Sequence, residues 1–158
     1  MNELKQAYRM TALIGLWMIM AEALLIIPVE YSSARAQPVA APQDIDAGMA
    51  RYVLFAFCAV LFVVERIIRE RMLAEKAPLL SEGRRSRFPA EIQRLIAASI
   101  ATFALCEVVA LFGLVLFFAT HDRSDFYLFV MISLIFFSVK FPSYRRWEAW
   151  MGRLGRGR

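Results

Sequence analysis

Apolar residues in this chain gather into four long runs separated by polar, charged stretches. The clearest run, Leu95 to Thr120, holds a single charge, Glu107. A helix of that length reaches about 39 Å, more than the roughly 30 Å hydrocarbon core of a bilayer. Met10 to Val29 holds one charge, Glu22, and Tyr52 to Val64 and Phe126 to Val139 hold none. The last two cover only about 20 Å by themselves. They lengthen into spans if Arg51, Arg66 and Lys140 run their stems along the apolar layer and lift their charges to the headgroups. Apolar residues are continuous rather than alternating, which favours helices over barrel strands.

The pattern therefore predicts an all-α fold. It is a four-transmembrane-helix bundle in one integral membrane domain, 1–158, with spans near 10–30, 48–68, 95–120 and 126–141. An outer loop covers 31–47, a second loop 69–94 and an interfacial tail 142–158. The outer loop is rich in Ala, Pro and Ser and has no hydrophobic period. After the second span, ERIIRERMLAEK reads as a helix continuing until Pro78 stops it. Gly83 to Phe88 reads as a basic turn, and Pro89-Ala90-Glu91 suits a helix first turn.

Charge supplies the orientation. Of 19 Lys and Arg residues, 16 lie before the first run, between the second and third, or after the fourth. Only Arg35, Arg51 and Arg123 lie on the other side. This asymmetry predicts cytoplasmic N- and C-termini in a cell inner (cytoplasmic) membrane. The net charge of +5 is then a matter of topology and anionic lipid, and no motif points to nucleic acid. The start resembles a signal peptide in having Lys5 and Arg9 before an apolar stretch, with Ala34-Arg35-Ala36 beyond. The stretch is longer than a signal core and contains Glu22 and Pro28, so it reads as a retained anchor. In the tail, Tyr144, Trp147 and Trp150 alternate with Arg145 and Arg146, a composition suited to a membrane interface or to a docking partner.

Composition excludes other chemistry. Cys58 and Cys106 fall inside runs, and His121 sits alone in a short loop. The sequence thus points to no metal site, cofactor, catalytic residue or enzymatic role. RYVLFAFCAVLFVVER aligns with DFYLFVMISLIFFSVK at an offset of 74, and MAEALLIIPV aligns with LCEVVALFGLV at 85. This pattern admits a duplication of two helical hairpins.

Glu22 stands as far from Met10 as Glu107 stands from Leu95, and both helices run outward. Both carboxyls should therefore share a depth near the bilayer middle. An ionised acid there costs about 2.5–3.5 kcal/mol on insertion scales. A carboxyl that takes and loses a proton mid-membrane is what a proton or cation path needs. Glu30 and Glu65 lie near span ends and read as interfacial. Beside Glu107, the residues Ser99, Thr102, Cys106, Ala110 and Gly113 form a small-residue stripe that lets another helix approach. Glutamates used only for helix packing, in a structural, accessory or assembly subunit of a larger membrane complex, are the alternative reading.

FALCEVVALFGLVLFF resembles the carboxylate-bearing helix of the proteolipid c subunit of rotary ATP synthases. The resemblance is confined to this third run and its approach. It implies that Glu107 binds a proton or monovalent cation, with Phe112-Gly113 as the aromatic-small pair. The chain departs from that family in its glycine-free second span and in lacking the Arg-Gln-Pro loop. MIMAEALL resembles the first helix of small multidrug resistance transporters, and in general form the chain resembles small multipass proteins of bacteria. The expected partners are the lipid bilayer and either further copies in a homo-oligomer or a membrane complex.

Overall fold

A computed structural model describes residues 2–35, 47–73 and 88–156. Pro78, the turn at 83–87 and most of the outer loop lie outside the described residues. Every regular element among those described is a helix: α1 (Asn2–Leu24), α2 (Ile26–Arg35), α3 (Ala47–Leu73), α4 (Ala90–Thr120), α5 (Arg123–Lys140) and α6 (Tyr144–Arg156).

Among the described residues two stretches are long and apolar enough to cross a membrane: Asn2–Ala34, taken across the junction of α1 and α2, and Ala90–Thr120. A third arises if α5 and α6, bent by 47° at their junction, count as one broken span. The fold is thus helical with at least two membrane-length helices.

Helix ends follow local chemistry. Pro28 has no N–H to offer the Leu24 carbonyl, and its ring presses on that turn. The chain tightens there, with Leu25 N–H donating to Glu22 O at 3.0 Å, and the first apolar run divides into α1 and α2. Pro89 stands just before α4 as its N-cap, and its carbonyl accepts from Gln93 N–H at 3.1 Å. At the far end His121 takes a left-handed conformation, φ 58°, and its N–H closes on Phe117 O at 2.7 Å. Asp122 then caps α5 by accepting from Ser124 N–H at 2.9 Å. So short a link, His121-Asp122, forces α4 and α5 into an antiparallel hairpin.

Helix α4 is the hub, packed against α1, α3 and α5. Gly113 sets the spacing to α5. A Cβ there would stand 2.7 Å from Phe129 Cβ and 3.1 Å from the Phe126 carbonyl oxygen. Gly15 does the same for α1, where a Cβ would stand 2.8 Å from the Phe103 ring. Helices α3 and α5 run parallel to each other beside α4, with Phe55 stacked on Phe129 at 5.1 Å and Phe62 against Phe136 at 5.3 Å. The partners in both pairs are separated by the same offset at which the two segments align in sequence.

A mostly apolar core encloses a few polar groups, and large apolar side chains also cover much of the outer surface. Thr11, Glu22, Glu65, Thr102, Asp125 and Ser133 are buried, whereas Trp17, Leu16, Phe57, Val60, Met131 and Ile135 point outward. Trp17 is 75% exposed. A soluble helix buries its apolar stripe and wets its polar one. These helices bury apolar side chains and expose others as large, a pattern compatible with a lipid surround.

Candidate functional site

Glu22 and Glu107 meet in one cleft. The closeness of α1 to α4 at Gly15 brings the last turn of α1 beside the middle of α4. There Ala21, Glu22, Leu25, Glu107, Ala110 and Leu111 line a half-open cleft of about 100 Å³. Glu22 is the deeper of the two at 2% exposed, and Glu107 is half-buried.

Among the described residues neither oxygen of Glu22 makes a hydrogen bond of good geometry. Ser133 of α5 lies beside the carboxyl, yet its hydroxyl donates to the Cys106 carbonyl at 2.7 Å. The same hydroxyl oxygen keeps lone pairs that a protonated Glu22 carboxyl would donate to. The ion pairs that join helices among the described residues involve neither glutamate. The helix junction at Leu25 lies three residues after Glu22, and the Glu22 carbonyl accepts the tightened bond from Leu25 N–H.

A second polar cluster lies further along α4, toward its N-terminus. Lys140 Nζ of α5 reaches Glu65 Oε2 of α3 at 2.6 Å, with side chains 18% and 6% exposed. The Thr102 hydroxyl stands 3.0 Å from both Glu65 Oε1 and the Ala98 carbonyl. Lys140 also lies over the Phe62 ring, 4.4 Å from its centroid. At the opposite end of the same helix pair, Arg51 binds Asp122 at 2.8 Å and the buried Asp125 at 2.6 Å. Ion pairs therefore tie α3 to the α4–α5 hairpin at both ends. Glu30 of α2 is exposed and accepts from the Tyr127 hydroxyl at 2.6 Å.

The small-residue stripe is largely covered within the chain. Thr102, Cys106, Ala110 and Gly113 are buried, the last against α5. Ser99 is half-buried and donates to Leu95 O at 2.8 Å. Of the residues expected at the membrane interface, Arg66 is exposed and pairs with Glu70 one turn on, at 3.0 Å. Arg51 and Lys140 hold the inter-helix pairs just described. Trp147 is 2% exposed and sits among Leu4, Ala7, Ile92 and Leu95, with Tyr144, Trp150 and Met151 packed around it. It therefore pins α6 across the N-terminal ends of α1 and α4.

Position near a span end makes Glu65 look interfacial, and sequence alone misses its role as the buried partner of Lys140. The only signal for this was that their separation in sequence, 75, is one off the alignment offset. Ser133 gave no signal, being one of two serines in an apolar run. Pro28 was visible, but not its effect beside Glu22. Among the described residues no group of three or more His, Cys, Asp or Glu side chains could hold a metal ion. No protein-family profile, curated protein or solved structure matches the chain.

Proposed function

We propose that this chain is a four-span protein of the cell inner membrane that moves a proton or monovalent cation through the Glu22–Glu107 cleft. In this reading α1 with α2, α3, α4 and α5 are the spans, and both termini and the loop before α4 are cytoplasmic. Helix α6 lies along the cytoplasmic face, its arginines toward the headgroups. The outward apolar faces and the 16 to 3 split of basic residues support that placement.

One observation carries the site: a deeply buried carboxyl whose two oxygens make no hydrogen bond of good geometry, opening on a cleft shared with a second carboxyl. A buried polar group left unsatisfied costs about 1–3 kcal/mol. A glutamate retained only to join helices would spend its oxygens on a neighbouring helix, as Glu65 does. Glu22 makes no bond of that quality, and its cleft is read as open to something that arrives and leaves. The cleft belongs to one chain, and the stripe that would pack neighbouring copies in a proteolipid ring is covered by α3 and α5. Both features favour a small transporter unit over a rotor subunit. The role proposed is non-enzymatic.

The test is flux. Protein in liposomes holding a pH-sensitive dye should carry protons or exchange them for sodium or potassium under an imposed gradient. Glu22→Gln and Glu107→Gln should each cut that flux by about tenfold or more, the scale of a lost proton-transfer group. Helix content should be unchanged. Flux at the wild-type rate in both variants would leave the glutamates as packing elements of an accessory subunit.

A further inference from the structure

The start of α1 and the outer side of α6 carry cations that have no acidic partner among the described residues. Trp147 fixes which side of α6 is outer. Together with Tyr144, Trp150 and Met151 it packs on Leu4, Ala7 and Tyr8 of α1 and on Ile92 and Leu95 of α4. The Tyr8 ring meets those of Tyr144 and Trp147 edge-on, at 5.7 and 5.8 Å. Those four α6 residues lie three or four positions apart, on one helix face. Arg145, Arg146 and Arg153 are therefore turned to the other side, and all three are exposed. On α1, Leu4, Ala7 and Tyr8 take up the contact with α6, and Lys5 and Arg9 stay exposed beside it. None of these cations forms an ion pair with a described residue. The exposed acids on the same two segments are Glu3 and Glu148, so the patch keeps a net positive charge.

What the patch faces follows from α1. Lys5 and Arg9 stand one turn apart, and their face continues with Leu13, Leu16, Trp17 and Met20, each 54–75% exposed. Charge gives way to apolar surface within one turn of helix, about 5 Å. A bilayer meets both at once, with hydrocarbon against Leu13 and Trp17 and phosphates against Arg9 and Lys5. An acidic protein would complement the cations and leave the apolar face beside them uncovered.

We propose that Lys5, Arg9, Arg145, Arg146 and Arg153 form a docking surface for the headgroups of anionic phospholipids, held in preference to zwitterionic ones. The inference rests on the membrane placement proposed above, with α6 and the start of α1 at one face, and not on transport through the cleft. A guanidinium takes a phosphate through two parallel N–H donors. A zwitterionic lipid offers a phosphate too, but it brings a cation that the patch repels. The packing of Trp147 holds α6 in place before any lipid arrives, so little order is lost on binding.

The experiment reconstitutes the whole chain in phosphatidylcholine bilayers, with spin-labelled phosphatidylglycerol or spin-labelled phosphatidylcholine as the probe. Electron spin resonance reads the motionally restricted lipid, and from it the relative association of the two. At low salt phosphatidylglycerol should associate about fivefold more strongly or better, the attraction one such cation contributes. The ratio should fall in 1 M salt, where charges are screened beyond about 3 Å. Two variants, Arg145→Gln with Arg146→Gln and Arg153→Gln, and Lys5→Gln with Arg9→Gln, should each lower the ratio by about half or more at unchanged helix content. Arg66→Gln with Glu70→Gln removes an exposed pair of no net charge and should leave the ratio as it was. Restricted lipid with no preference in the native protein would overturn the docking surface, leave the membrane placement standing and turn the patch over to an acidic protein. A ratio unchanged in both variants would overturn it as well, by placing the bound lipid elsewhere. No restricted lipid of either kind would remove the placement and the docking surface with it.

Discussion

Lys140→Ala lowers the stability of the folded bundle by about 3–5 kcal/mol, the cost of stranding a buried charge. The substitution removes the 2.6 Å partner of Glu65, whose side chain is 6% exposed. The one remaining donor, Thr102, is shared with the Ala98 carbonyl. A hydroxyl divided between two acceptors cannot replace an ammonium. Lost contact with the Phe62 ring adds about 0.5–1 kcal/mol or more. Unfolding in mixed detergent–SDS micelles measures the change. The double substitution Glu65→Met with Lys140→Met should recover most of the loss, because apolar side chains of similar volume leave no orphaned charge. Arg66→Ala is the contrasting case. Its pair with Glu70 is 75% and 68% exposed, and its loss should cost under about 1 kcal/mol. Equal losses at Lys140 and Arg66 would show that the first pair is not buried in solution.

Glu22→Leu should make the protein more stable and inactive at once. Both Glu22 oxygens are buried without a hydrogen bond of good geometry, a state that costs about 1–3 kcal/mol relative to an apolar side chain of similar size. Leucine relieves that cost and fits among Ala21, Leu25, Ala110 and Leu111, the apolar lining of the cleft. The same unfolding assay should therefore show a gain of about 1–3 kcal/mol, and the flux assay a loss. A packing glutamate behaves the opposite way. If Glu22 hydrogen-bonded across helices, Glu22→Leu would destabilise the bundle, and that outcome would assign the residue to structure.

Much of the architecture was legible because it depends on one-dimensional quantities. Run length and continuity found the apolar parts of α1, α3, α4 and α5, and Pro89 marked the start of α4. Equal spacing from the run starts placed Glu22 and Glu107 at one depth, and the structure brings them to one cleft. The rest depends on which way side chains turn about each helix. Lys140 reads equally well as a snorkelling anchor or a buried partner, and only the position of α3 beside α5 decides between them. Trp147 reads as an interface residue by composition but is enclosed by the ends of α1 and α4. Its neighbours Leu4, Ile92 and Leu95 come from distant parts of the chain, and no local pattern joins them. The junction after Glu22 was written in Pro28, whose effect falls on the Leu24 carbonyl one turn back.

Reaction of the purified protein with dicyclohexylcarbodiimide, followed by mass spectrometry across pH, tests the carboxylate site most directly, because the reagent attacks protonated carboxyls in apolar surroundings. Selective labelling of Glu22 or Glu107 is expected, fading as pH rises and lost in the matching Gln variant. Protection by sodium would mark a cation site, and its absence a proton site. No labelling of either residue at any pH would contradict an exchangeable carboxyl site and return both glutamates to helix packing.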